Sequence, residues 1–406
     1  MLIIDNLALE RRLMQSSTTD ADFDSLLQRV KTIAQGVAAA HADQVDREAR
    51  FPQETVDALK EARLMSAPLP KQLGGMGLNL TQQAQLCASL GTACSASAMV
   101  LAMHYSQLAC LGRHTQGKPE IEQYLRELSD HQYLLASMTS EQGTFGNTRT
   151  SICAVQVEGG TYRLDKDATT GSYCAHADAI LITCRKNEQA AESDQALVLA
   201  KKGQYTLTQT SNWDTLGMRG TCSPGFKISA QGPAWQVLPC PFAECSAESM
   251  VPFSHVIWAA LWSGIAAGAV MRAAGFVRSA ARKTPGKTPP TAQALAGVAA
   301  QLQAMRQQWQ TIGREFDALS EGEEQRTAMH TMAWALKFNN LKVSASSAAP
   351  QIVHQALQIV GIMGYKNDGP YSLGRHYRDV LSASLMISNE RILSKNADML
   401  LVLKEF

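Results

Sequence analysis

Few side chains in this sequence combine a reactive type with a setting that suits chemistry. His104 stands in Ala102-Met103-His104-Tyr105, on a mostly apolar stretch. A neutral imidazole there can donate one hydrogen bond and later accept a proton, or it can be a packed histidine satisfied by its surroundings. His255 lies beside Ser254 at the start of another apolar stretch. Glu390 follows Ser388-Asn389 and neighbours Arg391 and Lys395, where a solvated charge near a helix start is the ordinary reading. Ser140 and Ser172 are hydroxyls within a β-rich region. Arg282 and Lys287 bracket Pro285-Gly286, and Gly361 and Gly364 fall where a helical pattern stops. The nine cysteines are scattered and show no CxxC spacing. That usage fits a reduced, cytoplasmic protein and argues against a structural metal site.

These residues need a frame to position them. A chain of 406 residues, 45% hydrophobic, implies two or three packed modules rather than one core. A net charge of +1 without any basic block argues against a nucleic-acid partner. Met1–Leu13 mixes Asp5, Glu10, Arg11 and Arg12 with short apolar pieces, so no signal peptide is expected. The most apolar stretch, Val256–Met271, is shorter than the roughly twenty residues a bilayer span requires. Its Gly264/Gly268 pair reads as tight packing in a buried helix, so a soluble protein with no membrane span is expected.

Three textures follow one another. From about Asp20 to Asp130, apolar residues recur at helical spacing, with a proline-led start at Phe51-Pro52-Gln53-Glu54. Leu73-Gly74-Gly75-Met76-Gly77-Leu78 interrupts that region with a loop demanding close backbone approach or positive φ. From Met138 to Gln236 the pattern becomes β-rich. The candidate strands are Ile152–Val157, Thr161–Leu164, Ala179–Thr183, Ala196–Ala200, Tyr205–Gln209 and Phe226–Ile228, and Glu158-Gly159-Gly160 signals a hairpin. Helical spacing returns from Ser246 to the end. The expected fold is α+β and mostly α: a helical domain over 1–135, a β domain over 136–245 and a helical bundle over 246–406.

Several segments, in order, resemble the acyl-CoA dehydrogenase family. Phe51-Pro52-Gln53-Glu54 resembles its FPxE start, and Pro70–Leu78 its PExxGGxGL loop. Trp213–Arg219 resembles the segment carrying LGxR, Arg282–Lys287 resembles RxxFGK, and Gln358–Gly364 resembles QxxGGxG ahead of the Arg378-Asp379 pair. Two positions depart from the pattern: Pro285 replaces the usual Phe, and Ile362 replaces the second Gly. The resemblance implies an N-terminal helical domain, a β domain and a C-terminal four-helix bundle, with FAD between them. It further implies that Ser140 and the segment Met138–Asn147 meet the polar edge of the flavin, and that Ser172 lies near flavin N5. Arg282, Gln293, Gln358, Gly361 and Gly364 would reach the FAD of a neighbouring subunit, which makes a homodimer or homotetramer the implied assembly.

The resemblance also exposes a gap. Dehydrogenation of an acyl-CoA needs a carboxylate beside the substrate α-carbon. Counting forward from Arg378-Asp379, the family's YE pair falls on Met386-Ile387, and a second family location falls on Ser254. None of these can take a proton as a carboxylate does. Three accounts remain open. Glu390 supplies the base, and electrons pass from an acyl-CoA through the flavin to an acceptor flavoprotein. Alternatively, the protein is a flavin monooxygenase of the same fold, using O2 and another small hydrophobic substrate, with His104 or His255 lining the cleft. In the third account it is a flavin-binding protein with little such activity.

Overall fold

The computed structural model describes residues 20–404 apart from 116, 284 and 321; the Met1–Leu13 reading and Thr284 lie outside the described residues. The N-terminal part is helical: α1 (Asp20–Ile33), α2 (Ala39–Glu48), α3 (Gln53–Glu61), α4 (Leu80–Gly91), α5 (Ser95–Arg113) and α6 (Pro119–His131). The proline-led start holds, with Pro52 as the N-cap of α3. Asn79 opens α4 with a reciprocal cap: its side chain accepts from Gln82 N at 2.9 Å while Gln82 Oε1 accepts from Asn79 N at 3.1 Å. The glycine loop shows both expected demands. Gly74 and Gly77 have φ of 80° and 71°, and a Cβ on Gly75 would lie 1.9 Å from the Leu69 carbonyl oxygen.

Seven strands follow: β1 (Leu135–Met138), β2 (Gln156–Glu158), β3 (Thr161–Ala168), β4 (Ala179–Arg185), β5 (Gln195–Lys201), β6 (Tyr205–Gln209) and β7 (Phe226–Pro233). β1 was not among the sequence-predicted strands; its four residues pair in parallel with β4, so its partner lies more than forty positions away. The Ile152–Val157 strand shrinks to β2, whereas β3 and β7 run further than their apolar cores suggested. The Gly159-Gly160 hairpin forms with both glycines at positive φ and Glu158 opposite Thr161. One sheet has the order β1-β4-β5 and the other β2-β3-β7-β6. β4 and β5 are buried on both faces because α5 and α6 cover one side and the second sheet the other, which explains their unbroken apolar runs.

The C-terminal part begins with α7 (Phe242–Cys245), which passes through a π-helical turn into α8 (Val251–Lys283). Then come α9 (Thr291–Asp317), α10 (Glu323–Met329), α11 (Met332–Val360), α12 (Ile362–Tyr365), α13 (Gly374–Val380) and α14 (Asn389–Leu400). α8 is the central helix, packed against α4, α9 and α11. Small residues permit that approach: a Cβ on Gly264 would lie 2.2 Å from the Ala88 carbonyl oxygen. The continuous helix Phe242–Lys283 is long and apolar enough to cross a membrane by length and composition, unlike the shorter stretch weighed from sequence. In this fold 89% of its most apolar window is buried against other helices.

His104, offered by the sequence as either a cleft residue or a packed histidine, sits within this packing. It is fully buried on α5, and its Nδ1 accepts the Leu135 N–H at 3.0 Å. Nε2 must then carry the proton that it donates to the Met65 carbonyl at 2.7 Å. Both ring nitrogens are spent on backbone, tying α5 to the loop before α4 and to β1. Burial lowers its pKa to about 4. Its folded pKa lies below the ordinary value of 6.5, so the stability it contributes is complete above pH 6.5 and drains away as pH falls towards 4. In His104→Gln, the difference in unfolding free energy between about pH 7 and about pH 4.5 is expected to shrink by about 2 kcal/mol, measured by chemical denaturation. An unchanged difference would show that His104 takes no part in it.

Candidate functional site

The β domain and the bundle meet along a rim of hydroxyls. Ser140, just after β1, accepts the Thr170 N–H at 3.0 Å and donates to the Thr170 carbonyl at 2.9 Å. This joins the Met138–Asn147 and Thr170–Ser172 segments. Ser223 donates to Ser172 Oγ at 2.8 Å, Thr221 Oγ1 lies 2.9 Å from Ser223 Oγ, and Thr221 donates to the Met218 carbonyl at 2.8 Å. Ser140 and Ser172 are each only half-buried. Three side-chain-bearing residues here hold positive φ: Tyr173 (42°), Met218 (53°) and Cys222 (43°). Such conformations cost about 1–3 kcal/mol each and collect where surrounding contacts over-determine the backbone. On Gly171 a Cβ would lie 2.8 Å from the Phe226 ring, so only glycine fits between the two hydroxyl segments.

Glu141 anchors the Met138–Asn147 segment from below. Its buried carboxylate accepts from Ser151 Oγ and from Cys153 N, both at 2.6 Å, and stands 3.6 Å from Lys166 Nζ. Lys166 also donates to the Thr183 carbonyl at 2.7 Å, and burial lowers its pKa. Above this pair, Gly143 and Gly146 take φ of 88° and 76° and leave the loop backbone close to the bundle.

From the bundle, Asp379 on α13 crosses to the β domain. Its buried carboxylate accepts the Met218 N–H at 2.7 Å, and Gly217 lies so close to Arg378 that a Cβ would be 2.2 Å from the Arg378 carbonyl oxygen. Arg378 Nε donates to the Leu216 carbonyl at 3.0 Å, and its guanidinium pairs with Asp46 of α2. Arg219 Nε donates to the Asp46 carbonyl at 2.9 Å, and Arg375 Nε meets Asp43 at 3.0 Å. The Arg378-Asp379 pair therefore locks all three parts of the chain at one seam. Burial raises the Asp379 pKa, against the opposing charge of Arg375.

Beyond α13 the chain turns a corner before α14. Met386 and Ile387 occupy it, and Ile387 holds a φ of 50°, a strained conformation for a β-branched residue. Lys342 on α11, fully buried, donates to the Ile387 carbonyl and to Asn389 Oδ1, both at 2.7 Å. Burial lowers its pKa to about 8, so it remains largely cationic at neutral pH. Asn389 Nδ2 donates in turn to Ser346 at 3.0 Å. Glu390 is exposed in the first turn of α14, and Arg391 beside it bonds the Phe145 carbonyl of the Met138–Asn147 loop. The corner thus adjoins the hydroxyl rim.

The remaining sequence-predicted residues lie elsewhere. Arg282 near the end of α8, Gln293 near the start of α9, and Gln358 and Gly361 at the end of α11 are exposed. Gln301 and Gln355 exchange hydrogen bonds at 3.1 and 3.0 Å between α9 and α11, which places these termini at one end of the bundle. Gly361 takes a φ of 65°, and Gly364 is buried against Val360. The structure brings Ser140 and Ser172 to one rim and Glu390 to the adjoining corner. It does not bring the bundle-end group to the same place within one chain.

Sequence reasoning missed Glu141, Lys166 and Lys342. Lys342 had a signal: it falls on the buried stripe of Phe338, Leu341, Ala345 and Ala349, where a charge is out of place. Glu141 and Lys166 had none, because their pairing depends on the sheet.

Residues 20–155 match the acyl-CoA dehydrogenase N-terminal domain, and residues 248–387 match the acyl-CoA dehydrogenase C-terminal domain. Amino sugar nitrososynthase DnmZ of Streptomyces peucetius is 23% identical over 348 residues, covering 84% of each chain. Probable acyl-CoA dehydrogenase YngJ of Bacillus subtilis is 27% identical over 375 residues, covering 86% of this chain and 90% of that one. Among solved structures, FMN-bound TdsC from Paenibacillus sp. A11-2 superposes with a TM-score of 0.79 at 18% identity, over 93% of this chain and 97% of that one. Relatives with different reactions thus share one scaffold, and the order of its parts is the order found here. With both domains matched and the β domain between them, the chain belongs to the acyl-CoA dehydrogenase family.

Proposed function

We propose that this chain binds a flavin, FAD, at the seam between β domain and bundle, and uses reduced flavin and O2 to oxygenate a small hydrophobic substrate. The donor set fits such a group. Half-buried hydroxyls of Ser140 and Ser172 and the backbone of a glycine-bent loop offer the mixed donors and acceptors that the polar edge of a flavin needs. When bound, the flavin supplies the redox chemistry. The chain's own residues orient it: Glu141 and Lys166 hold the loop, and Asp379 holds the Trp213–Arg219 segment against the bundle. Arg282, Gln293, Gln358, Gly361 and Gly364 would serve the flavin of a second copy, which makes a homodimer the minimum and a homotetramer compatible. Nine free cysteines support a reducing, cytoplasmic setting.

One observation carries the choice of reaction. At the corner where the family's usual base falls stand Met386 and Ile387, with the Lys342 ammonium bound to the Ile387 carbonyl. Neither Met386 nor Ile387 has a group that can take an α-proton. TdsC, a dibenzothiophene monooxygenase from Paenibacillus sp. A11-2, and the nitrososynthase relatives support the oxygenation reading.

A second reading rests on Glu390. It is an exposed carboxylate one turn from the corner, and its neighbour Arg391 touches the Met138–Asn147 loop. As a base it would make the protein an acyl-CoA α,β-dehydrogenase that passes electrons to an acceptor flavoprotein, in line with YngJ.

Anaerobic titration with short- and long-chain acyl-CoAs separates the two readings. The oxidised flavin spectrum is expected to persist with every acyl-CoA, while chemically reduced protein is reoxidised on admitting O2. Bleaching by an acyl-CoA that Glu390→Gln abolishes would establish the dehydrogenase instead. Glu141→Gln, which leaves Lys166 buried without its counter-charge, is expected to lose about 3 kcal/mol of stability. It should also release flavin on dialysis, with faster amide exchange across residues 139–147; tight flavin retention would remove that loop from the site.

A further inference from the structure

α8 carries three aromatic residues on one face, spaced three and four apart: His255, Trp258 and Trp262. Their rings follow one another at 6.1 and 6.3 Å. All are more than nine-tenths buried, and each has a polar atom with no hydrogen-bond partner among the described residues: His255 Nε2, Trp258 Nε1 and Trp262 Nε1. A buried polar atom left unpaired costs about 1–3 kcal/mol, so three on one helical face are unusual for simple core packing.

Their chemistry is complementary. His255 Nδ1 lies 2.8 Å from the Val251 carbonyl, which can only accept, so Nδ1 carries the proton and Nε2 presents a lone pair. Burial lowers the His255 pKa to about 4, so the ring stays neutral at pH 7. The indoles present N–H donors only. Lys342 Nζ stands 5.9 Å from the Trp262 ring, and its charge adds to the lowering of the His255 pKa. Its hydrogen-bond partners at the corner, the Ile387 carbonyl and the Asn389 side chain, are both neutral. The row therefore runs from His255 towards the same corner that adjoins the hydroxyl rim.

One acceptor and two indole donors on one helical face, near a cation whose hydrogen-bond partners are neutral, are the complement of a hydroxyl on an unsaturated ring. We propose that this row is the substrate subsite for a phenolic or enolic hydroxyl, which donates to His255 Nε2 and accepts from Trp258 Nε1. The assignment deepens the oxygenation reading and rests on it for the corner being the substrate side. It gives the specificity-determining roles to His255 and Trp258, with Lys342 a positioning residue for the corner.

The test uses 4-nitrophenol and its methyl-capped counterpart 4-nitroanisole, which cannot donate. Binding is followed by isothermal titration calorimetry on the whole protein. The phenol is expected to bind at least about tenfold more tightly, the worth of one buried hydrogen bond. Trp258→Phe removes a single N–H and is expected to cut that preference several-fold while 4-nitroanisole binding stays within about twofold. His255→Leu is expected to abolish the preference. Equal affinity for the two probes in the wild-type protein, or a preference untouched by Trp258→Phe, overturns the assignment, and the second variant decides the matter even if His255→Leu does not fold. Flavin content, read separately from absorbance, distinguishes failure of the flavin reading, because probe binding is measured without turnover.

Discussion

A buried carboxylate holding a backbone N–H across a seam is the contact on which the rest of this architecture depends. Asp379 leaves the bundle to accept from Met218, and Gly217 allows the two backbones to touch. A charged acceptor makes this hydrogen bond worth about 1.5–3 kcal/mol, and its burial forbids water from replacing it. The strained φ values of Tyr173, Met218 and Cys222 persist because this seam fixes the segment from outside. Asp46 and Asp43 extend the same lock to α2 through Arg378, Arg219 and Arg375. The Ser140–Thr170 and Ser172–Ser223 contacts are thereby held at a fixed distance from the bundle.

At the corner after α13, the positions where the family resemblance puts a carboxylate hold Met386 and Ile387. The Lys342 ammonium holds the backbone carbonyl of Ile387, a contact that does not depend on the side chain at that position. Family membership and reaction are separable here, because the helices and sheets that seat the rim do not depend on what stands at the corner.

Much of the architecture was legible in the residues. Periodicity marked the helical, β and helical regions; the Gly159-Gly160 turn and the Gly74–Gly77 loop follow from backbone sterics alone. The resemblance to the family points to the segments around Ser140 and Ser172, which the Ser140–Thr170 contacts join. What escaped was of one kind. β1 has only four residues, and its partner β4 lies far along the chain. His104 was read as a possible cleft residue because a lone histidine on an apolar helix looks the same whether its nitrogens face a cavity or the backbone. Phe242–Lys283 outgrew its apolar stretch because helix continuity is set by packing against α4, α9 and α11 rather than by composition.

The family was reached through a resemblance of ordered motifs. By itself the sequence determined the order of the helical, β and helical regions and that no carboxylate stands at positions 254, 386 and 387. These are local facts, set by residue type, spacing and backbone sterics. Only the tertiary structure decided that Glu141 meets Lys166, that Asp379 crosses to Met218, that Lys342 reaches Ile387, and that three aromatic residues of α8 carry unpaired polar atoms. Those are pairings between distant segments. Their existence depends on burial and register, which a one-dimensional pattern does not encode.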